Sequence, residues 1–358
     1  MPLPALLRER LKLLARICVI GAMIGAVYGV VLTVTLAKPG SDVHRLTIAL
    51  SGALTGMVIS ASISAIEILL LRAGPLRRLN ALPFLAIVLS KSVVYGAIVI
   101  VAVTLVPDLF PSSSPGAPST RTPRTLAITV GFSLAVTFVF VTVLQAATLL
   151  GRRTFRDLLL GRYRQPRAEL RFFLFVDVVG SSAIAERLGP LDAHRFLSAV
   201  FTAVAEPIAE AHGEIHQYVG DEIVVTWTEA EGVVGARPLR CLFAMRAALA
   251  ARAERFQARF GAVPALRAAL HFGEVIAGEV GDQRRAIVFH GDVMNTAARL
   301  EQATRDVGLR FIVSQAALDA LGPLPALELT DIGALALRGR TEPVQAYGIR
   351  RFEGAAAD

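Results

Sequence analysis

Cysteine is almost missing from this chain: there are two among 358 residues, Cys18 inside an apolar segment and Cys241 in an expected helix. Two such thiols cannot build a disulfide framework or a zinc site. Histidine is also sparse, six in all, and forms no ligand cluster. Acidic residues are outnumbered, 29 against 37 Lys and Arg, for a formal net charge of +8. No aromatic-interleaved basic stripe accompanies that surplus, so a nucleic-acid partner finds no support. Much of the Arg sits beside apolar segments instead, a signal of membrane topology and anionic lipid. No internal repeat is visible in the C-terminal half. What the chain has in excess is apolar residues, 54% of the total, with a mean hydropathy of +0.57.

That excess falls in the first 150 residues. Four apolar segments, at about 17–37, 46–71, 81–106 and 125–150, are each long enough to cross about 30 Å of hydrocarbon at about 1.5 Å per residue. Arg8, Arg10, Lys12 and Arg16 precede the first, but its length and the three spans that follow favour a retained helix over a signal peptide. Thirteen Lys and Arg in the N-terminal tail, the 72–80 loop and the stretch after the fourth span face four in the other two loops. That places both termini in the cytoplasm of a multi-pass protein of the inner membrane. The outer loops, about 8 and 18 residues long, are too small for an independent sensor domain.

Gly21, Gly25 and Gly29 recur every fourth residue, as do Gly52, Gly56, Ser60 and Ser64. Such stripes let helix backbones approach, within one bundle or between two copies. Glu67 and Lys91 are ionisable residues inside spans, and each is the other's expected partner.

The stretch 151–170 reads as a basic connector, with Phe155, Leu158 and Leu159 on a short helical face and Pro166 expected to stop it. From 171 the pattern alternates. A strand at 171–178 precedes a long helix at about 182–211, strands at about 213–219 and 222–228, and a helix at about 236–260. Strands near 265–275 and 285–290 follow, then a helix at about 292–306 with Asp292 as N-cap, and shorter elements over 310–350. This order is the ferredoxin-like βαββαβ arrangement, so the fold class is α+β behind an all-α membrane domain. The domains are 1–150 (membrane), 151–170 (connector), 171–350 (catalytic) and 351–358 (tail).

RFFLFVDVVGSS, 171–182, delivers Asp177 to the end of an apolar strand, and GEIHQYVGDEIVVTW, 213–227, puts Asp221 at a hairpin tip. In the βαββαβ order these two points can meet. Two hard carboxylates with few other ligands suit Mg²⁺ or Mn²⁺ shared with substrate phosphates. Gly180, Ser181 and Ser182 open a helix whose N–H groups can cradle phosphate oxygens. Asn295 and Arg299 lie four apart on one helix face, among small residues that leave room for a ligand.

FVDVVGSS, YVGDEIVV, HFGEVIAGEVG, HGDVMNTAARLE and LRGRTEPVQAYGI resemble, in order and spacing, the catalytic domain of class III adenylate/guanylate cyclases over roughly 170–350. The resemblance implies a homodimer with two active sites at its interface. It implies that Asp177, Asp221 and the Val178 carbonyl hold two divalent ions, Mg²⁺ or Mn²⁺, while Asn295 and Arg299 of the other subunit meet the ribose and the transition-state phosphate. Arg338 or Arg340 takes the place of a basic residue on the terminal phosphates. At the base pocket the sequence departs from the family: Gln217 stands where adenylate cyclases usually carry Lys, and Val288, with His290 nearby, where Thr or Asp is usual. The Gln amide serves adenine or guanine. The substrate implied is ATP, with GTP or both purines as the alternative; a membrane receptor or scaffold that kept the fold and lost turnover is the reading of a different class.

Overall fold

The structure, a computed structural model, describes residues 5–36, 45–67, 83–106, 123–282, 285–324, 327–337 and 342–352. The 72–80 loop, most of the two outer loops, Arg338, Arg340 and the 353–358 tail lie outside the described residues. The chain divides into two compact units, Met1–Leu150 and Gly151–Asp358.

The first unit contains α1 (Ala5–Leu36), α2 (Arg45–Ala65), α3 (Phe84–Leu105) and α4 (Pro123–Leu150). α1 starts well before the expected Ile17. Among the described residues, three helical stretches are long and apolar enough to cross a membrane: Leu14–Val31, Leu85–Leu105 and Leu126–Ala147. α2 holds a shorter apolar run, Ala49–Ala65. The glycine stripes seat α1 on α2. A Cβ on Gly25 would lie 2.1 Å from the Gly52 carbonyl oxygen, and one on Gly56 2.1 Å from that of Gly21. Packing within the chain therefore occupies these stripes. The Glu67–Lys91 pair forms, with Nζ 2.6 Å from Oε1, and Tyr95 Oη donates to the same oxygen at 2.8 Å. Tyr95 is a third member that periodicity did not mark.

The second unit opens with α5 (Arg152–Leu159). It ends before a turn in which Gly161 takes φ +60°, so Gly161 rather than Pro166 stops the connector helix. β1 (Arg167–Val178) and α6 (Ser181–Leu188) follow, then α7 (Pro190–Glu210). The expected single helix over 182–211 is thus two. Gly189, before a proline, takes ψ 166° and Pro190 restarts the chain in the first turn. Next come β2 (Glu214–Val219), β3 (Glu222–Thr228), the one-turn α8 (Glu229–Gly232), α9 (Arg237–Ala250) and α10 (Ala253–Phe260). The break between α9 and α10 has no Gly or Pro to announce it; the Arg252 side chain caps the Ala248 carbonyl at 2.7 Å. β4 (Leu266–Val280), β5 (Ala286–His290), α11 (Asp292–Asp306), β6 (Phe311–Ser314), α12 (Gln315–Leu321), β7 (Leu327–Leu335) and β8 (Val344–Phe352) complete the unit. Gly291, not Asp292, is the N-cap of α11; Asp292 lies in the first turn, where its charge suits the helix dipole.

The sheet order is β2-β3-β1-β4-β6-β8-β7, with β5 paired to β4. β1 lies between β3 and β4, antiparallel to both, as βαββαβ requires. Alternation divides its side chains. Phe172, Leu174 and Val176 join a core with Val200, Val204, Leu239 and Leu242 from α7 and α9. Phe173 and Phe175 pack on the opposite face with Phe289 of β5 and Val293 and Ala297 of α11. Gly273 lets α11 come close: a Cβ there would stand 2.5 Å from Val293 Cγ2.

The same face buries a charged chain. Arg171 is fully buried; its guanidinium bonds Glu169 at 2.9 Å and Glu214 at 3.3 Å, and lies over the Phe289 ring. Arg153 of α5 reaches Glu214 at 3.5 Å and Glu231 at 2.5 Å. The connector is thereby tied to β1.

Candidate active site

β1 is buried continuously from Arg171 to Val178, because strands flank it and both faces are covered. Asp177 is carried into that environment and is 3% exposed. β2 and β3 join through a two-residue turn, Gly220-Asp221, with Val219 opposite Glu222. Gly220 takes φ +62°, which a Cβ would oppose. The turn sets Asp221 beside Asp177, as β1 and β3 are neighbours. Ser181 Oγ donates to Asp221 Oδ2.

Charge on the pair is divided unevenly. Burial first, then the hydrogen bond with Asp221, pushes Asp177 up to about 6. Burial also acts on Asp221, but hydrogen bonds from Asp177 and Ser181 outweigh it and hold that carboxyl below its ordinary range. Two carboxylates this close share a proton when no other cation intervenes.

Four charged groups near Asp177 were not legible in the sequence. Glu222 and Arg267 stand directly opposite it, on β3 and β4. Arg267 Nη2 pairs with Asp177 Oδ2 while its Nε donates to Glu301 of α11 at 2.8 Å. Arg305 Nη2 is 3.3 Å from the same Asp177 oxygen. Burial, followed by the charges of Glu301, Asp177 and Asp221, pushes Glu222 up to about 7. The only sequence signal was a charge inside an apolar strand or helix; cross-strand register decides which of them meet.

The donors suit hard divalent cations. Asp177 and Asp221 both offer carboxylate oxygens and lie within hydrogen-bonding reach of each other. Among the described residues no three His, Cys, Asp or Glu form a cation cage. A pair of carboxylates is a donor set compatible with a divalent cation that keeps water and takes substrate phosphates as further ligands. Val178, whose carbonyl was expected to help, is buried at the end of β1.

Gly180, in the left-handed region, caps α6, and the first N–H groups of that helix lack helical acceptors. Ser181 is half-buried and Ser182 exposed. Asn295, exposed, and Arg299, half-buried, lie one turn apart on α11. Among the described residues, no hydrogen bond joins them to either aspartate. Gln217 is exposed on β2, Val288 half-buried and His290 exposed on β5. Next to these positions, His216 of β2 and Phe289 of β5 touch, with ring centroids 4.8 Å apart.

The profile of the adenylate and guanylate cyclase catalytic domain matches residues 166–350. The chain is 40% identical over 209 residues to adenylate cyclase 2 of Rhizobium meliloti, covering 58% of each. It is 25% identical over 183 residues to an adenylate cyclase of Anabaena cylindrica, covering 49% of this chain and 36% of that one. It thus spans little more than half the length of the first relative and about a third of the second. A bacterial light-regulated adenylyl cyclase of known structure, 17% identical, superposes with a TM-score of 0.50 over 62% of this chain and 65% of its own; that similarity concerns the fold.

Proposed function

The chain belongs to the adenylate and guanylate cyclase catalytic domain family, and from that membership we propose that it is a membrane-anchored cyclase converting ATP to 3′,5′-cyclic AMP and pyrophosphate. The observation that carries the reading is the meeting of Asp177 and Asp221 beside the N-terminus of α6. Two divalent ions held there would acidify the ribose 3′-hydroxyl and clamp the phosphates.

The residues have separable tasks. Asp177 and Asp221 would hold the ions, aided by the Val178 carbonyl. N–H groups from Gly180 to Ser182 donate to phosphate oxygens, with Arg338 or Arg340 on the terminal phosphates. The 3′-oxygen bonds to the α-phosphorus, the bond from that phosphorus to the α,β-bridging oxygen breaks, pyrophosphate departs, and the hydroxyl proton passes to water. Arg299 offsets charge developing on the α-phosphoryl oxygens, and Asn295 orients the ribose. Since neither touches the aspartates within one chain, we assign them to the site of a partner copy, in a homodimer with two shared sites. The apolar first unit anchors the dimer in lipid through four helices, with both termini in the cytoplasm.

The relatives named adenylate cyclase support ATP as the substrate. A guanylate or dual-purine activity is the second reading, because Val288 offers the base no side-chain hydrogen bond and Gln217 serves either purine. The test is the intact chain in detergent with Mn²⁺ or Mg²⁺, supplied with ATP or GTP. Cyclic AMP as the main product supports the proposal, cyclic GMP as the main product moves it to the second reading, and neither product sinks it.

A further inference from the structure

We propose that Arg267 is a counter-ion placeholder: it occupies Asp177 until a divalent cation arrives, then withdraws onto Glu301, so that metal loading is felt by α11. This rests on the reading of Asp177 as a metal ligand.

Register fixes the first part. Arg267 lies directly opposite Asp177, so its side chain rises from the sheet beside the carboxylate. Asp177 and Glu301 have side chains only 5% and 4% exposed, and Arg267 bridges them through Nη2 and Nε. Two buried carboxylates around one guanidinium are over-supplied with negative charge. A cation bound to Asp177 reverses that balance at Asp177 alone: it repels the guanidinium over a few ångströms of low-dielectric space. Glu301 is already in contact and needs a positive neighbour to remain buried and ionised. The guanidinium therefore has a destination that leaves no charge stranded. Arg305 also approaches Asp177, but its side chain is 57% exposed, and solvent screening makes that contact weak.

Glu301 belongs to α11, six residues after Asn295. A guanidinium bound to Glu301 alone ties α11 to β4 more firmly than one divided between two carboxylates. α11 is the element whose Asn295 and Arg299 are assigned to the partner's site, so loading one site would steady the helix that serves the other.

Mn²⁺ binding to the intact chain in dodecyl maltoside, read from the electron paramagnetic resonance signal of free Mn²⁺, tests the exchange without turnover. Arg267→Gln removes the competitor and is expected to tighten Mn²⁺ binding roughly five- to tenfold, whereas Glu301→Gln strands Arg267 on Asp177 and weakens it by a similar factor. A residue that only orients Asp177 gives the opposite sign for Arg267→Gln. Weakening by both substitutions, or no change in either, overturns the proposal. If Asp177→Asn binds Mn²⁺ as the wild type does, the metal reading itself fails, and the exchange with it. A second measurement needs no variant: Mn²⁺ is expected to slow amide hydrogen exchange across 292–306. Unchanged or faster exchange there while Mn²⁺ binds overturns the link to α11.

Discussion

Glu222 stands directly opposite Asp177 across the β3–β1 register, so a half-buried and a buried carboxyl group share one patch of sheet, with Asp221 at the adjoining turn. Both are pushed up, to about 7 and about 6. An acid raised in the fold favours the protonated state, so the metal-free fold loses stability as pH climbs from about 4 through these values.

A divalent cation should therefore stabilise the catalytic unit most clearly at pH 8. The single tryptophan, Trp227, is fully buried in that unit and reports its unfolding. A hundredfold excess of Mn²⁺ over its dissociation constant is worth about 2.7 kcal/mol, or a midpoint rise of roughly 5–10 °C. Glu222→Gln should raise the metal-free midpoint and shrink the metal's increment. A midpoint indifferent to metal contradicts the site.

Arg171 is fully buried between Glu169 and Glu214. Arg171→Ala leaves two mostly buried carboxylates without their guanidinium and should cost about 3–5 kcal/mol. Arg153→Ala, which frees the connector from Glu214 and Glu231, should cost much less, about 1 kcal/mol. Denaturant titration followed by Trp227 emission separates the two; equal losses would mean that the network is not centred on Arg171.

The Glu67–Lys91 pair predicts non-additivity. Lys91→Met alone leaves Glu67 with Tyr95 only, and Glu67→Gln alone leaves the ammonium uncompensated. Each should destabilise the first unit, by up to about 2.5–3.5 kcal/mol for an unpaired ion within a span. The double substitution should cost less than the sum. Thermal aggregation in detergent reads this out; strict additivity would show that the two charges do not interact.

Gly25 and Gly131 make a matched comparison. A Cβ on Gly25 meets the Gly52 carbonyl at 2.1 Å, while one on Gly131 meets nothing within 4 Å. Gly25→Ala should part α1 from α2 and lower the midpoint of thermal aggregation by several degrees; Gly131→Ala should leave it unchanged. Equal effects would contradict direct backbone contact between α1 and α2.

The sequence displayed β1, the β2–β3 turn and α11 clearly, because burial on both faces, a Gly-Asp turn and a 3.6-residue period each leave a local pattern. It also marked the Glu67–Lys91 pair, since charges within spans have few partners to choose from. Gly189-Pro190 is a local signature of a helix break, whereas the α9–α10 break carries no breaker at all. Arg267, Glu301 and Glu222 were out of reach for another reason. Each looks like an ordinary surface charge until register sets it opposite Asp177 or a helix is laid over it. Arg171 was hidden in the same way, its partners lying two residues away on its own strand and across the sheet on β2.

The central claim is that one chain supplies the aspartates and its partner supplies Asn295 and Arg299. Its most direct test is co-expression of the intact Asp177→Asn and Arg299→Ala chains, each inactive alone, with cyclic product measured. A two-fold dimer assembled at random gives heterodimers in half of the population, each with one complete site, so about a quarter of wild-type activity is expected. A mixture no more active than its two components would show that each site is built from a single chain.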